Sequence, residues 1–279
     1  MAIQLITHIF RQFGLHLSMN DVFKHPTLCQ LSAHVDQAPR SAVSPMPASS
    51  LSAVIRSDAH RPLSLAQRRL WIFERLYGSL GVYNVPVVLR IRGDLNQLAL
   101  QQSLTEISRR HEILRATFGH SNGVPFQQIG PSVSWSISVH DLVQDTSQTL
   151  IQWLTAEAYR PFDLTRGPLV RASLARQEEP SWLLALVFHH IIYDGWSTKV
   201  LATELSSLYA SFSQNRPISL PPLPIQYTDC AQWQIDHLRP ETLQRERIYW
   251  KNHLANVPPL LTIPTDKPRP ATQSFTGAD

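Results

Sequence analysis

The chain of 279 residues is 43% hydrophobic and 16% charged, with a formal net charge of +4. The apolar share supports a buried core, the sparse charge excludes a largely disordered protein, and the length fits one large domain or two smaller ones. The arginines are scattered and no Lys/Arg block stands out, so nucleic acid is not an expected partner. The longest strongly apolar run, residues 182–188, is far too short to span a bilayer. The opening MAIQLITHIFRQFG carries no basic region ahead of an apolar stretch, which argues against a secretory signal. Cys29 and Cys230 lie far apart in no CxxC pattern. The expectation is a cytoplasmic protein with two free thiols.

Residues 1–37 read as helical. Ile3, Leu5, Ile6, Ile9 and Phe10 recur at helical spacing, a turn follows at Gly14, and Ser18 with Asp21 suits the cap of a short helix through Phe23. Pro26 suits the start of a last helix over 27–35. Residues 38–62, with the run APRSAVSPMPASS, are rich in Pro, Ala and Ser without periodicity and read as a linker.

Globular signals resume over residues 63–279. A helix is expected at 64–76 with Ser64 as its cap, then a strand at 84–92, NVPVVLRIR. Asp94-Leu-Asn-Gln97 looks like a capping box opening a long helix to about Ile113. Short strands are expected at 114–118, 126–129, 134–139 and 169–175, with a helix at 147–159 between the last two. WLLALVF, 182–188, is apolar at every position and reads as a central strand buried on both faces. Helices follow at 198–212, 229–238 and 242–254, and a Pro-rich tail, 257–270, leaves the domain as a crossover. Strands alternating with helices around one fully buried strand give an α/β sandwich.

The segment FHHIIYDGWS, 188–197, follows that buried strand and precedes a helix. A strand end holds side chains in place, and Gly195 suits a tight turn of close approach. A histidine there can act as a base or a hydrogen-bond donor near neutral pH. His189, His190 and Asp194 are all metal-ligand types, but adjacent strand residues point to opposite faces, so the two rings do not converge on one ion. No metal is expected. The two histidines divide roles instead, one buried and structural, the other facing a cavity.

This segment resembles the HHxxxDG signature of condensation domains in nonribosomal peptide synthetases. Ser64-Leu-Ala-Gln-Arg-Arg-Leu-Trp71, with Tyr83-Asn84 after it, resembles that family's first motif. Arg110-His-Glu-Ile-Leu-Arg-Ala-Thr-Phe118 resembles the second, with Ala116 where Thr is more usual. Tyr227-Thr-Asp-Cys-Ala-Gln-Trp233 resembles the fourth, and Pro264-Thr-Asp-Lys-Pro-Arg-Pro270 the stretch that leads into a second lobe. IQLITHIFRQFGLHLSMNDVFKHPTLCQLSAHV, at the N-terminus, resembles the latter part of a peptidyl carrier domain, without the serine that bears phosphopantetheine.

The resemblance implies a chloramphenicol-acetyltransferase-like α/β sandwich lobe, one of two in such a domain, over 63–279, with helices of a truncated carrier over 1–37. The reaction it implies is amide formation between donor and acceptor thioesters held on carrier domains. His190 is the expected essential residue, as base or as positioner of the amine, and His189 its structural neighbour. Asp194 is expected to be structural, with Arg110 or Arg115 as its partner. Gly195 is expected to allow close approach of the substrate arm, with its N–H facing the oxyanion. Trp196 reads as packing, Ser197 as support, and Tyr227, Asp229 and Trp233 as fold-stabilising. No cofactor is expected on the chain itself, since phosphopantetheine arrives on donor and acceptor carrier domains, alongside an adenylation domain and the second lobe. The chain stops before that lobe, so the isolated chain is expected to be inactive, with its lobe interface open to water. An epimerisation domain and a non-catalytic docking or scaffolding fragment are the alternatives. SLAQRRLWIFERL with VYN favours condensation of an L-residue donor.

Overall fold

The computed structural model describes residues 2–13, 15, 17–37, 60–132, 134–142, 147–178, 180–238, 240–258, 264–268, 270 and 275. The turn expected at Gly14, most of the expected linker and much of the Pro-rich tail lie outside them. The chain divides into two compact units, Met1–Ser50 and Leu51–Asp279.

Among the described residues the first unit holds three helices, α1 (Ala2–Phe13), α2 (Met19–Lys24) and α3 (Leu28–Gln37). Ser18 caps α2 as its spacing to Asp21 suggested: its hydroxyl accepts from the Asp21 amide at 3.1 Å, while the Asp21 carboxylate takes the Ser18 amide at 2.7 Å. Ile9, Leu15, Leu17 and Leu31 form a small core, flanked by Ile6 and Val35. Leu5, expected on the apolar stripe of α1, stands 39% exposed.

The second unit is built on two sheets. β2 (Asn84–Arg92), β7 (Ser181–His189), β6 (Val170–Glu178) and β5 (Ile137–Asp141) lie side by side in that order. β7 pairs antiparallel with β2 from Asn84↔His189 to Arg92↔Ser181, and antiparallel with β6. β5 and β6 run parallel, so the chain must cross over between them. Helix α6 (Ser147–Tyr159) makes that crossover. The smaller sheet is β1 (Arg61–Pro62), β4 (Val124–Ile129) and β3 (Ala116–Ser121). The remaining helices are α4 (Leu65–Tyr77), α5 (Gln97–Arg110), α7 (Gly195–Ser213), α8 (Tyr227–His237) and α9 (Pro240–His253).

The apolar run at 182–188 is buried on both faces of the sheet, for a reason visible in the register. Leu184, Leu186 and Phe188 join Leu100, Leu104 and Ile107 of α5 and Leu201, Leu205 and Leu208 of α7 in one core. On the opposite face Ala185 pairs across from Ser173, whose hydroxyl donates to Glu157 of α6 at 3.1 Å. Each of Leu184, Leu186 and Phe188, 0–1% exposed, contributes roughly 1.5–3 kcal/mol by leaving water.

Several boundaries differ from expectation. α5 starts after Asn96, whose side chain accepts from the Ala99 amide at 3.0 Å, so Asn96 and not Asp94 is the cap. It ends at Arg110, and Glu112–Arg115 turns as a separate 3-10 segment, which delays the next strand to Ala116. α7 begins at Gly195 rather than Thr198, because Asp194 caps it.

Candidate active site

The end of β7 places the two histidines in opposite surroundings. His189 is 2% exposed. Its Nδ1 accepts the Ile191 amide at 3.1 Å, so that nitrogen carries a lone pair and the proton sits on Nε2. Nε2–H then donates to Glu74 Oε1 of α4 at 3.3 Å. His190 leaves the strand and is exposed, with its amide held by the Tyr83 carbonyl at 2.7 Å. Its Nδ1 lies 2.7 Å from the Tyr193 carbonyl, which can only accept. In the neutral ring Nδ1 therefore bears the proton, and Nε2 is left as the acceptor. Adjacent rings thus hold opposite tautomers.

The turn that carries His190 is braced from α4. Gln67 is 1% exposed; its amide nitrogen donates to the Ile191 carbonyl at 3.4 Å and to Gln127 of β4 at 3.4 Å. Its oxygen takes the Ser64 amide at 2.9 Å and the Gln127 side chain at 3.3 Å. Tyr193, 5% exposed, stacks on Phe188 with centroids 4.0 Å apart, closing the turn against the strand it came from. Tyr83-Asn84 works on the other side. While the Tyr83 carbonyl holds His190, the Asn84 amide donates to the Ala158 and Arg160 carbonyls at 2.7 and 2.9 Å, satisfying the end of α6. Arg171 joins this cap through the Glu157 carbonyl at 3.0 Å and lies 3.8 Å over the Phe162 ring. Burial, with Arg160 nearby, lowers its pKa to about 10. Gly81 is required beside it: a Cβ there would lie 2.4 Å from the Tyr159 carbonyl oxygen.

Asp194 has a different partner from the one expected. Its carboxylate accepts the Ser197 amide at 2.9 Å and the Ser197 hydroxyl at 2.6 Å, and the Ser197 hydroxyl takes the Asp194 amide at 3.3 Å. Burial pushes the carboxyl up, but the Ser197 side chain and amide, with the charge of His190, hold it below the usual range. Arg110 pairs instead with Glu204 of α7, at 3.1 and 3.2 Å, and Arg115 donates to the Ser108 carbonyl at 3.0 Å and to that of Gly130. An aspartate at the head of a helix finds its donors in the helix itself, and both arginines tie the second motif to neighbouring elements instead. Gly195 occupies the first position of α7, with nothing within 4 Å of a Cβ built on it and without the positive φ of a strained turn. The tight turn expected of it is absent; open space lies there. Trp196, expected to pack, is 69% exposed.

The fourth motif braces the lobe. Tyr227 hydrogen-bonds the Ser64 hydroxyl at 2.9 Å, Asp229 accepts the Gln226 amide at 2.9 Å, and Trp233 stacks on His237 at 4.5 Å. Glu74, Gln67, Gln127 and the Tyr193 carbonyl were absent from the sequence reading of the site. Gln67 stands in the first motif and Glu74 seven residues on, at helical spacing; Gln127 had no local signal. Among the described residues no group of three His, Cys, Asp or Glu side chains is placed to hold a metal ion, and no helix is long and apolar enough to cross a membrane. Cys29 is exposed and Cys230 half-buried, both as free thiols.

Solved structures share this architecture. The X-domain from teicoplanin biosynthesis, solved in complex with OxyB, superposes with a TM-score of 0.69 at 30% identity, over 79% of this chain and 49% of that one. The starter condensation domain of the rhizomide synthetase RzmA matches in fold, with a TM-score of 0.63 at 24% identity, over 72% of this chain and 49% of that one. The class is therefore the chloramphenicol-acetyltransferase-like α/β fold of condensation domains. The Condensation domain family model matches residues 57–279, and the chain belongs to that family. Malpinin synthetase of Mortierella alpina is 38% identical over 279 residues, 99% of this chain and 4% of that protein. Chondramide synthase cmdD of Chondromyces crocatus is 43% identical over 220 residues, 77% of this chain and 6% of that protein. The chain thus spans a few per cent of its curated relatives and about half of the solved domains.

Proposed function

We propose that residues 63–279 act as the histidine-bearing lobe of a condensation domain in a nonribosomal peptide synthetase, following a linker at 38–62 and carrier-type helices at 1–37. The acceptor α-amine attacks the donor thioester carbonyl: a C–N bond forms, the C–S bond breaks, the thiol leaves and the amine gives up one proton. The thioesters ride on phosphopantetheine arms of partner carrier domains, loaded by an adenylation domain in the cytoplasm. With the chain spanning half of the solved domains, turnover requires the other lobe.

The observation that carries this reading is the exposed ring of His190, whose Nδ1 is held by the Tyr193 carbonyl so that the neutral imidazole offers Nε2 as an acceptor. At that nitrogen the incoming amine has an acceptor for its proton. General-base action supplies about 10²–10⁴-fold, whereas orienting two reactants removes roughly 7–11 kcal/mol of barrier. A thioester is already reactive toward a neutral amine, so positioning takes the larger share. The test is His190→Ala in a two-lobed domain carrying this lobe. Peptide formation is expected to fall by at least about 10²-fold with the circular dichroism unchanged; near-normal condensation refutes the assignment.

A second reading, docking of a partner protein, is favoured by one finding: the X-domain of similar fold was solved in complex with OxyB. Restoration of peptide formation by an added second lobe separates the enzyme lobe from the docking fragment.

A further inference from the structure

We infer that Glu74 is a positioning residue for His190, acting through the tautomer of His189; the catalytic consequence rests on the function proposed above, while the positioning itself does not.

One chain of hydrogen bonds leads from Glu74 to the turn that carries His190. Glu74 Oε1 and His189 Nε2 lie 3.3 Å apart, with their side chains 7% and 3% exposed. A carboxylate in that place admits one tautomer, the one with hydrogen on Nε2. That choice frees the Nδ1 lone pair, which takes the Ile191 amide at 3.1 Å. The opposite tautomer would turn N–H toward N–H and orphan both in the core, a costly arrangement for buried donors. At its other end Ile191 gives its carbonyl to Gln67, 3.4 Å away. Residue 191 is therefore clamped at its amide by one α4 side chain acting through His189, and at its carbonyl by another acting directly.

His190 lies between these two fixed residues. Its own amide is tied to Tyr83, and its ring is oriented by the Tyr193 carbonyl, two residues beyond the clamp. Without the Ile191 amide bond the 190–193 turn can open, and the carbonyl that holds Nδ1–H leaves its place. An imidazole released from that bond exchanges between tautomers, and Nε2 becomes a donor for part of the time. Such a ring cannot accept an amine proton at that nitrogen. Glu74 thus reaches the site without touching substrate, as residues behind an oriented imidazole do elsewhere in protein chemistry.

The test uses the full chain with 15N-labelled histidine, assigning ring signals by comparison with His189→Ala and His190→Ala. In the unmodified chain His189 is expected in the Nε2–H form and His190 in the Nδ1–H form. Glu74→Gln keeps an acceptor oxygen and is expected to leave both unchanged. Glu74→Leu removes it; His189 is then expected to lose the pure Nε2–H form, the Ile191 amide its exchange protection, and His190 its single tautomer. The inference is overturned by a folded Glu74→Leu chain, judged by circular dichroism, that keeps the His190 signals of the parent. It is overturned equally by a parent chain with His190 in the Nε2–H form, or by a Glu74→Gln chain that loses the His190 tautomer, neither of which depends on the leucine variant folding. None of these readings requires turnover, so failure here and failure of the proposed reaction are distinguishable.

Discussion

The Asp194 carboxylate meets two donors from Ser197, and this cap sets both where α7 begins and how the preceding turn closes. Asp194→Ala is expected to lower stability by about 1 kcal/mol in urea unfolding, whereas Asn, also a good cap, retains most of it. The pH dependence has a definite sign. The folded carboxyl is held below its ordinary 3.8, so its contribution is present above that value and disappears as the pH falls through the folded value. Asp194→Asn is expected to remove that part of the acid limb, and an unchanged acid limb would contradict the cap. The Asp194…Ser197 spacing is that of a helix start, which places α7 three residues ahead of the expected 198 and gives Asp194 its partner inside the helix rather than an arginine. The opposite facing of His189 and His190 was legible from adjacency alone. Glu74 was not, since its partner lies 115 positions away and only the fold brings them together.

Between elements, a cluster of charged side chains ties α5 to α7. Glu204, its side chain 11% exposed, receives Arg110, 8% exposed, and the His111 ring at 2.8 Å. Burial raises the Glu204 carboxyl, but the hydrogen bonds and charges of Arg110 and His111 prevail and hold it below the ordinary 4.5. This stabilisation is present above the unfolded value and lost as pH drops through the folded one. Glu204→Gln leaves a guanidinium without its counter-charge and is expected to cost about 3–5 kcal/mol in urea unfolding at neutral pH, with a smaller further loss on acidification. A variant as stable as the parent would show the pair to be idle. Most elements were legible from periodicity: β2 at 84–92 was read to the residue, and β7 as a strand buried on both sides. Both strands of the β3–β4 hairpin were legible, at 114–118 and 126–129, but shorter than they are and without the turn that joins them. Its Asn122-Gly123 turn, with φ of 50° and 78°, is the two-residue type that suits strand twist, and the dipeptide announced it. The end of α5 was not readable, because helical periodicity continues into the 3-10 segment that replaces it.

At the scale of the whole chain, the two units differ in what holds them. The first rests on Ile9, Leu15, Leu17 and Leu31, a core too small for much reserve. Leu31→Ala is expected to cost about 2–5 kcal/mol there, enough to unfold helices α1–α3 while the sheets of the second unit stay intact. Hydrogen exchange read by mass spectrometry checks this; equal loss of protection in both units would contradict it. Within the second unit α9 leaves Ile248, Tyr249 and Trp250 half exposed, at 50%, 55% and 53%. The pairing of Asn84 with His189 has a kinetic consequence. The hairpin of β3 and β4 needs only neighbouring residues, whereas the strand bearing the histidines has its edge companion on the far side of that hairpin and of the whole α6 crossover. Closing so long a loop costs entropy before contacts repay it. During synthesis the His190 ring is therefore expected to reach its final orientation late, after the scaffold has been spun out and folded back on its own beginning.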